Sequence, residues 1–281
     1  MACPMASVET CYRHPDRTTR VHCTRCGRPI CPDCMTPAPV GHHCPVCVGE
    51  ARRSARRLRP ALPRPRSVTT AIIAVNIGLF VLDAVLRASG VGPLLEAGAM
   101  IPALVARGEW YRLVTAMFLH VGLFHLALNG FALYVFGGLV EHVLGSARFL
   151  GIYLVTGFAG SAVSFAFGDP SRAAVGASGA VFGLLGAWLA YNLRRRSLGL
   201  AQANVRWVLT LLAINLAFGL ILPRIDWLAH LGGLAAGLVG GFLIEGVGRR
   251  AARTASQIGG LFLVTAGAAA LVAWRATALA G

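Results

Sequence analysis

Apolar stretches of ~18 residues or more recur beyond residue 67, each long enough to cross ~30 Å of hydrocarbon. They restrict the chain to a bundle of membrane-spanning helices. Composition agrees, because 56% of the 281 residues are hydrophobic and only 13% are charged. Soluble proteins rarely combine so few charges with so much apolar content. The expected fold class is therefore all-α: a polytopic helical membrane bundle preceded by a small N-terminal module. No secretory signal peptide is expected, since residues 1 to 50 are polar and cysteine-rich.

Seven spanning helices are expected, at about 68–88, 112–136, 147–167, 177–193, 205–222, 227–247 and 257–274. Residues 1–50 read as a Cys/His module and residues 51–67 as a basic Pro/Arg linker. Residues 68–248 read as a six-helix membrane core, and 249–281 as a connecting loop and a seventh helix.

The net charge of +15 comes from arginine, as the chain has no lysine. Such a charge suits nucleic acid in general, but its placement argues against that partner. Most arginines flank apolar segments, where positive charge sets topology. Arg52, Arg53, Arg56, Arg57, Arg59, Arg64 and Arg66 precede the first helix. Arg194, Arg195, Arg196 and Arg206 lie between the fourth and fifth, and Arg249, Arg250 and Arg253 between the sixth and seventh. All three clusters fall on one side, while the opposite loops carry isolated charges such as Arg172 and Arg224. The N-terminus is then cytoplasmic and the C-terminus outside. Anionic lipids would hold the linker at the inner face.

Two polar residues stand out in hydrocarbon-length segments. Ser178 opens the shortest helix, in Gly176-Ala177-Ser178-Gly179. His230 sits inside a later one, in Ala229-His230-Leu231-Gly232-Gly233. A serine after glycine is by itself usually a packing residue. A histidine in a membrane helix gains nothing unless it faces a polar cavity, so a functional site is the default reading. A serine nucleophile needs a base within hydrogen-bond reach. Gly233, Gly237 and Gly241 recur at four-residue spacing, which lets two helices pack closely. A tight pairing of the fourth and sixth helices would bring His230 to Ser178, as proton acceptor and later donor. The helix start offers unpaired N–H groups for an oxyanion. His125 and Asn129 are four apart in Phe118-Leu119-His120-Val121-Gly122-Leu123-Phe124-His125-Leu126-Ala127-Leu128-Asn129, so they share a face and can donate to the same oxyanion.

With these residues the chain resembles the rhomboid family of intramembrane serine proteases. His125 and Asn129 match its HxxxN motif, and Trp110-Tyr111-Arg112 matches its tryptophan-arginine region. Gly137-Gly138-Leu139-Val140-Glu141 with Gly145 matches the segment after the second helix. The similarity covers roughly residues 68–248. It implies a Ser178/His230 dyad without an acidic third member, and an oxyanion site at His125, Asn129 and Ser178. It implies substrates that are transmembrane proteins, cut near the outer surface of the bilayer. It also implies that the loop at roughly 89–111 lies partly in the outer leaflet. Phe182 stands where some relatives carry a tyrosine stacked on the base. Asp226 falls one turn before His230 and near the surface, and is not assigned to a triad. His120, Asn76 and Asp83 are expected to be structural, and Glu141 and Arg148 to pair in support of a loop.

The N-terminal module carries Cys11-x2-His14, Cys23-x2-Cys26, Cys31-x2-Cys34 and Cys44-x2-Cys47. Eight sulfur or nitrogen ligands suffice for two tetrahedral zinc ions, and filled sites of this kind are structural. The spacing resembles a B-box-type zinc finger. That resemblance implies a cross-brace, with Cys11, His14, Cys31 and Cys34 on one ion and Cys23, Cys26, Cys44 and Cys47 on the other. His42 and His43 compete with Cys44, and Cys3 is left over. So little apolar content cannot build a core alone, so metal should fold the segment.

The function expected is hydrolysis of peptide bonds in or near transmembrane segments, in a bacterial plasma membrane and without a catalytic cofactor. The alternative is a catalytically silent adaptor that binds client helices and recruits a cytoplasmic partner through the zinc module.

Overall fold

The computed structural model describes residues 8–38, 40–57, 67–195, 199–221, 225–244 and 250–280. Cys3, most of the basic linker, Arg196, Arg224 and Arg249 lie outside the described residues. Contacts between Cα atoms divide the chain into two compact units on either side of residue 61.

In the first unit, strand β1 (Glu9–Thr10) pairs antiparallel with β2 (Thr18–Thr19), and β3 (Thr36–Pro37) with β4 (His42–His43). Helix α1 (Pro45–Arg57) follows. It runs past residue 50 because Glu50, Ala51, Arg52 and Arg53 are all good helix formers. The interior consists of Cys11, Cys23, Cys31, Cys34, Cys44 and Cys47 around a fully buried Ile30. Thiols occupy the place that a larger domain fills with aliphatic side chains.

The second unit is a helical bundle. Helix α2 spans Ser67–Ala88. A long connection follows, with short helical turns at Leu94–Gly98, Pro102–Ala106 and Arg112–Thr115. Helix α3 runs Leu123–Leu144, its middle widened into a π turn at Leu133–Gly137. Next come α4 (Ser146–Phe167), α5 (Ser178–Leu193) and α6 (Gly199–Ile221). Helices α7 (Trp227–Ile244) and α8 (Arg250–Ala280) complete the bundle. Among the described residues, α2, α3, α4 and most of α8 are long and apolar enough to cross a membrane.

Three of the expected helices have other bounds, and the fifth begins at Gly199 rather than near 205. The second begins at Leu123 rather than near 112. Arg112 is buried, and its guanidinium donates to the backbone oxygens of Glu96 and Ala99 at 2.8 and 3.0 Å and to Glu109 Oε2 at 2.7 Å. These bonds hold residues 112–118 to the preceding loop, and the extended backbone at Gly122 separates them from α3. Residues 112–118 do form short helical turns, but these end before Gly122 and are not continuous with α3. The last helix, 31 residues long, outruns the expected 257–274 at both ends. Its polar start is fixed to α4, where Arg148 Nε donates to Gln257 Oε1 at 3.0 Å.

Helix α5 is the centre of the bundle, buried along nearly its whole length. Its 16 residues span only about 24 Å, short of the ~30 Å hydrocarbon thickness. Helix α5 alone therefore cannot reach both surfaces, and the irregular loop before it is fastened to neighbouring backbone at Met100 and Ala116.

Candidate active site and metal clusters

The loop before α5 is fastened by backbone pairing. Ala174 and Met100 exchange N–H···O bonds of 2.9 and 3.0 Å, and Gly176 N–H donates to Ala116 O at 2.8 Å. Gly176 adopts φ +125°, a region that side chains resist. A Cβ placed there would lie 2.7 Å from Cε1 and Nε2 of His125 and 3.9 Å from Asn129 Nδ2. The residue two before Ser178 is thus pressed directly onto the His125/Asn129 face of α3. Asn129 is itself oriented, because its Nδ2 donates to His125 O at 3.0 Å. His120 is buried with its ring edge-on to His125, centroids 5.1 Å apart.

Helix α7 meets α5 backbone to backbone. A Cβ on Gly233 would overlap the carbonyl oxygen of Gly179, and one on Gly237 that of Gly183. Lower down, Gly241 faces Ala187. Each of these three glycines lies opposite a small α5 residue one turn from the next, which fixes the register of the pair. In that register Phe182, one turn beyond Ser178, stacks on the imidazole of His230, with centroids 4.1 Å apart and planes 8° from parallel. Ser178 and Phe182 share a face of α5, and His230 lies against that face.

Asp226 precedes α7 and caps it. Its Oδ1 accepts the Ala229 N–H at 3.0 Å, and its Oδ2 accepts the Ser164 hydroxyl of α4 at 2.5 Å. With Ser161 and Ser178 it lines a cavity of about 20 Å³, room for about one water. The cap was missed in the sequence, where the signal that could have found it is an acidic residue just ahead of an apolar helix. Nothing in the sequence signalled the Ser164 partner, which lies 62 positions away.

The expected pairing of Glu141 with Arg148 is replaced by other partners. Glu141, fully buried, accepts the N–H groups of Val68 and Thr69 at 3.2 and 2.9 Å, and the hydroxyls of Thr69 and Ser146 at 2.6 and 2.7 Å. It thereby satisfies the open start of α2, while Arg148 turns to Gln257. Asp83 holds Arg87 at 2.7 Å and the N–H of Leu95 at 3.0 Å, which ties the long loop to α2.

Residues 107–246 match the Rhomboid domain family model. The chain is 39% identical over 139 residues to the provisionally named rhomboid protease YdcA of Bacillus subtilis (strain 168), covering 50% of this chain and 69% of YdcA. The chain belongs to the rhomboid family. It is also 44% identical over 144 residues to rhomboid protease GluP of the same organism, covering 51% of this chain and 28% of GluP. A plant relative, RHOMBOID-like protein 6, mitochondrial, of Arabidopsis thaliana, is 42% identical over 153 residues, covering 54% of this chain and 49% of that one. The chain thus spans about half or less of two of these three relatives. Rhomboid membership together with the apolar helices makes this an integral, multi-pass membrane protein. The rhomboid match starts after the Cys/His unit, which stands on its own geometry.

In that unit the ligand atoms gather into two groups of four. Cys11, His14, Cys31 and Cys34 form one, and Cys23, Cys26, Cys44 and Cys47 the other, all atoms within 4.8 Å of one another in each. The donor sets fit a tetrahedral cation. Zinc–sulfur bonds of ~2.3 Å put two sulfurs about 3.8 Å apart, and Cys26 Sγ lies 3.7 Å from Cys44 Sγ. A sulfur and an imidazole nitrogen on one zinc would sit about 3.5 Å apart. His14 Nδ1 lies 3.8, 3.2 and 3.5 Å from the sulfurs of Cys11, Cys31 and Cys34. His42 and His43 sit in β4, outside both groups. Burial raises the Cys23 thiol, but backbone N–H groups of Cys44, Cys26 and Arg25 outweigh it and bring the thiol down to about 6. Burial and then hydrogen bonds to its sulfur neighbours push Cys47 up to about 12. Thiols crowded this closely cannot all ionise unless a cation shares them.

Proposed function

We propose that this chain is an intramembrane serine endopeptidase that hydrolyses peptide bonds in or near transmembrane segments of other membrane proteins. The observation that carries the reading is the α5–α7 seam. It sets the helix that starts with Ser178 against His230, with Phe182 as the intervening ring. In this reading His230 takes the Ser178 hydroxyl proton as Oγ attacks the scissile carbonyl, then returns it to the leaving amine. The tetrahedral oxyanion is held by His125, Asn129 and the Ser178 N–H at the start of α5. Gly176, with no side chain, leaves the space in front of His125 open to the substrate carbonyl. A water from the polar cavity then hydrolyses the acyl-enzyme.

Two zinc ions would hold the N-terminal unit folded and take no part in the hydrolysis. The arginine distribution supports a cytoplasmic N-terminus and an outer C-terminus, and the membrane in this reading is a bacterial plasma membrane. A cytoplasmic protein that docks on the zinc unit is the one partner besides substrate and lipid that this reading admits. Nucleic acid has no place in it.

The test is cleavage of a model transmembrane substrate by purified protein in detergent, with Ser178→Ala and His230→Ala as controls. Cleavage lost in both variants, with unchanged helicity and melting, supports the dyad. Cleavage that survives Ser178→Ala overturns it. If wild type cleaves nothing and a fluorophosphonate does not label Ser178, the silent adaptor replaces the protease.

A further inference from the structure

Helix α7 carries His230 only one turn from its own beginning, and helix ends fray unless they are tied down. Two groups tie this one. Asp226 accepts from the Ala229 N–H with one oxygen and from the Ser164 hydroxyl with the other, at 3.0 and 2.5 Å. The capped residue, Ala229, lies at a three-helix junction. A Cβ on Gly160 of α4 would come within 2.7 Å of Ala229 O, and one on Gly179 of α5 within 3.4 Å of the same atom. Ala229 therefore touches the helix that bears Ser164 and the helix that starts at Ser178. The residue that follows it is His230.

We infer that Asp226 and Ser164 form a clasp that sets the height and rotation of His230 relative to Ser178, so that Asp226 is a positioning residue for the general base. This rests on the protease reading above. The glycine seam sets the register of α7 beyond His230, and stacking on Phe182 sets the tilt of the imidazole. The clasp holds the remaining free end, because it pins the first turn of α7 to α4 at the level of the cavity that Asp226 and Ser178 both line. The role is geometric. Asparagine can cap as well as aspartate, and its amide can donate to the Ser164 hydroxyl, so charge is not required.

The experiment compares wild type with Asp226→Ala, Asp226→Asn, Ser164→Ala and the double Ala variant. It reads three quantities: the rate of Ser178 labelling by a fluorophosphonate, kcat and KM on a model transmembrane substrate, and the melting temperature in detergent. Asp226→Ala should label and turn over about tenfold more slowly or worse with KM unchanged, since displacing a catalytic group by ~1 Å can cost 10²-fold. Asp226→Asn should restore most of the rate. Ser164→Ala should be intermediate, and the double variant should melt and label no worse than Asp226→Ala alone, because the two residues act as one unit. Wild-type labelling and kcat in Asp226→Ala overturn the positioning role. Additive melting losses in the double variant overturn the clasp. A wild type that does not label at all counts against the protease reading and against positioning, while the melting cycle still decides the clasp.

Discussion

Phe182 lies flat on His230, with ring centroids 4.1 Å apart and planes 8° from parallel. The contact joins α5 to α7 one turn below Ser178, so it couples the proposed nucleophile's helix to the proposed base through a rigid ring. Phe182→Ala would leave the imidazole without a floor. The stack is worth ~0.5–1.5 kcal/mol beyond its buried area, and ~1.4 kcal/mol is tenfold in rate. The expected result is a fall of about two- to twelvefold in kcat/KM on a model substrate, as those two figures convert. Phe182→Tyr should keep near-normal turnover, since the ring remains.

The seam above and below that stack has no room for side chains. Gly237→Ala would drive a methyl into Gly183 O, which is backbone and cannot swing away. A loss of more than about 2 kcal/mol is expected, read as a lower melting temperature in detergent. Gly130→Ala is the matched control, since a Cβ there meets nothing within 4 Å.

Gly176→Ala should separate folding from chemistry. Its Cβ would strike the His125 ring, and its φ of +125° disfavours any side chain. The expected outcome is a large loss of Ser178 labelling with a modest change in melting, because the strain falls on a loop rather than on the bundle core.

Removing the Glu141 carboxylate would orphan four donors at once, from Val68, Thr69 and Ser146. Each buried unsatisfied donor costs ~1–3 kcal/mol. Glu141→Ala should therefore reduce stability severely, visible as aggregation or a collapsed melting transition. Glu141→Gln, which keeps one acceptor oxygen, should lose less.

Metal analysis of protein purified without chelator should find two zinc ions per chain. A chelator should unfold residues 8–57 while leaving the membrane unit's helicity and Ser178 labelling unchanged. Metal uptake at neutral pH must expel the proton held by Cys47, whose thiol is pushed up to about 12. Zinc affinity should therefore fall as pH drops, with proton release measurable by calorimetry in buffers of different ionisation enthalpy. Cys23, already down to about 6, joins the competition with protons only below that pH.

The helical class, the positions of α2, α4 and α5, and the residues proposed for catalysis were legible because they depend on local pattern. Apolar length marks a span, and a Gly-Ala-Ser-Gly start or a four-residue glycine period needs no distant partner to be recognised. The start of α3 was not legible, because the residues ahead of it are as apolar as a helix. What removes them is the bonding of buried Arg112 to Glu96 O and Ala99 O, a long-range event. Glu141 likewise found α2 and Ser146 rather than Arg148, since the orphan N–H groups of a buried helix start outcompete an arginine that can reach Gln257.

By itself, the sequence determined which segments must leave water, which groups can ligate metal, and which serine and histidine were worth explaining. Hydrophobic length and ligand spacing are properties of consecutive residues. Only the tertiary structure decided that Gly176 meets His125, that Phe182 stacks on His230, and that Ser164 closes on Asp226. Each of these depends on how helices far apart in the chain interlock, and that is set by close packing rather than by any local preference.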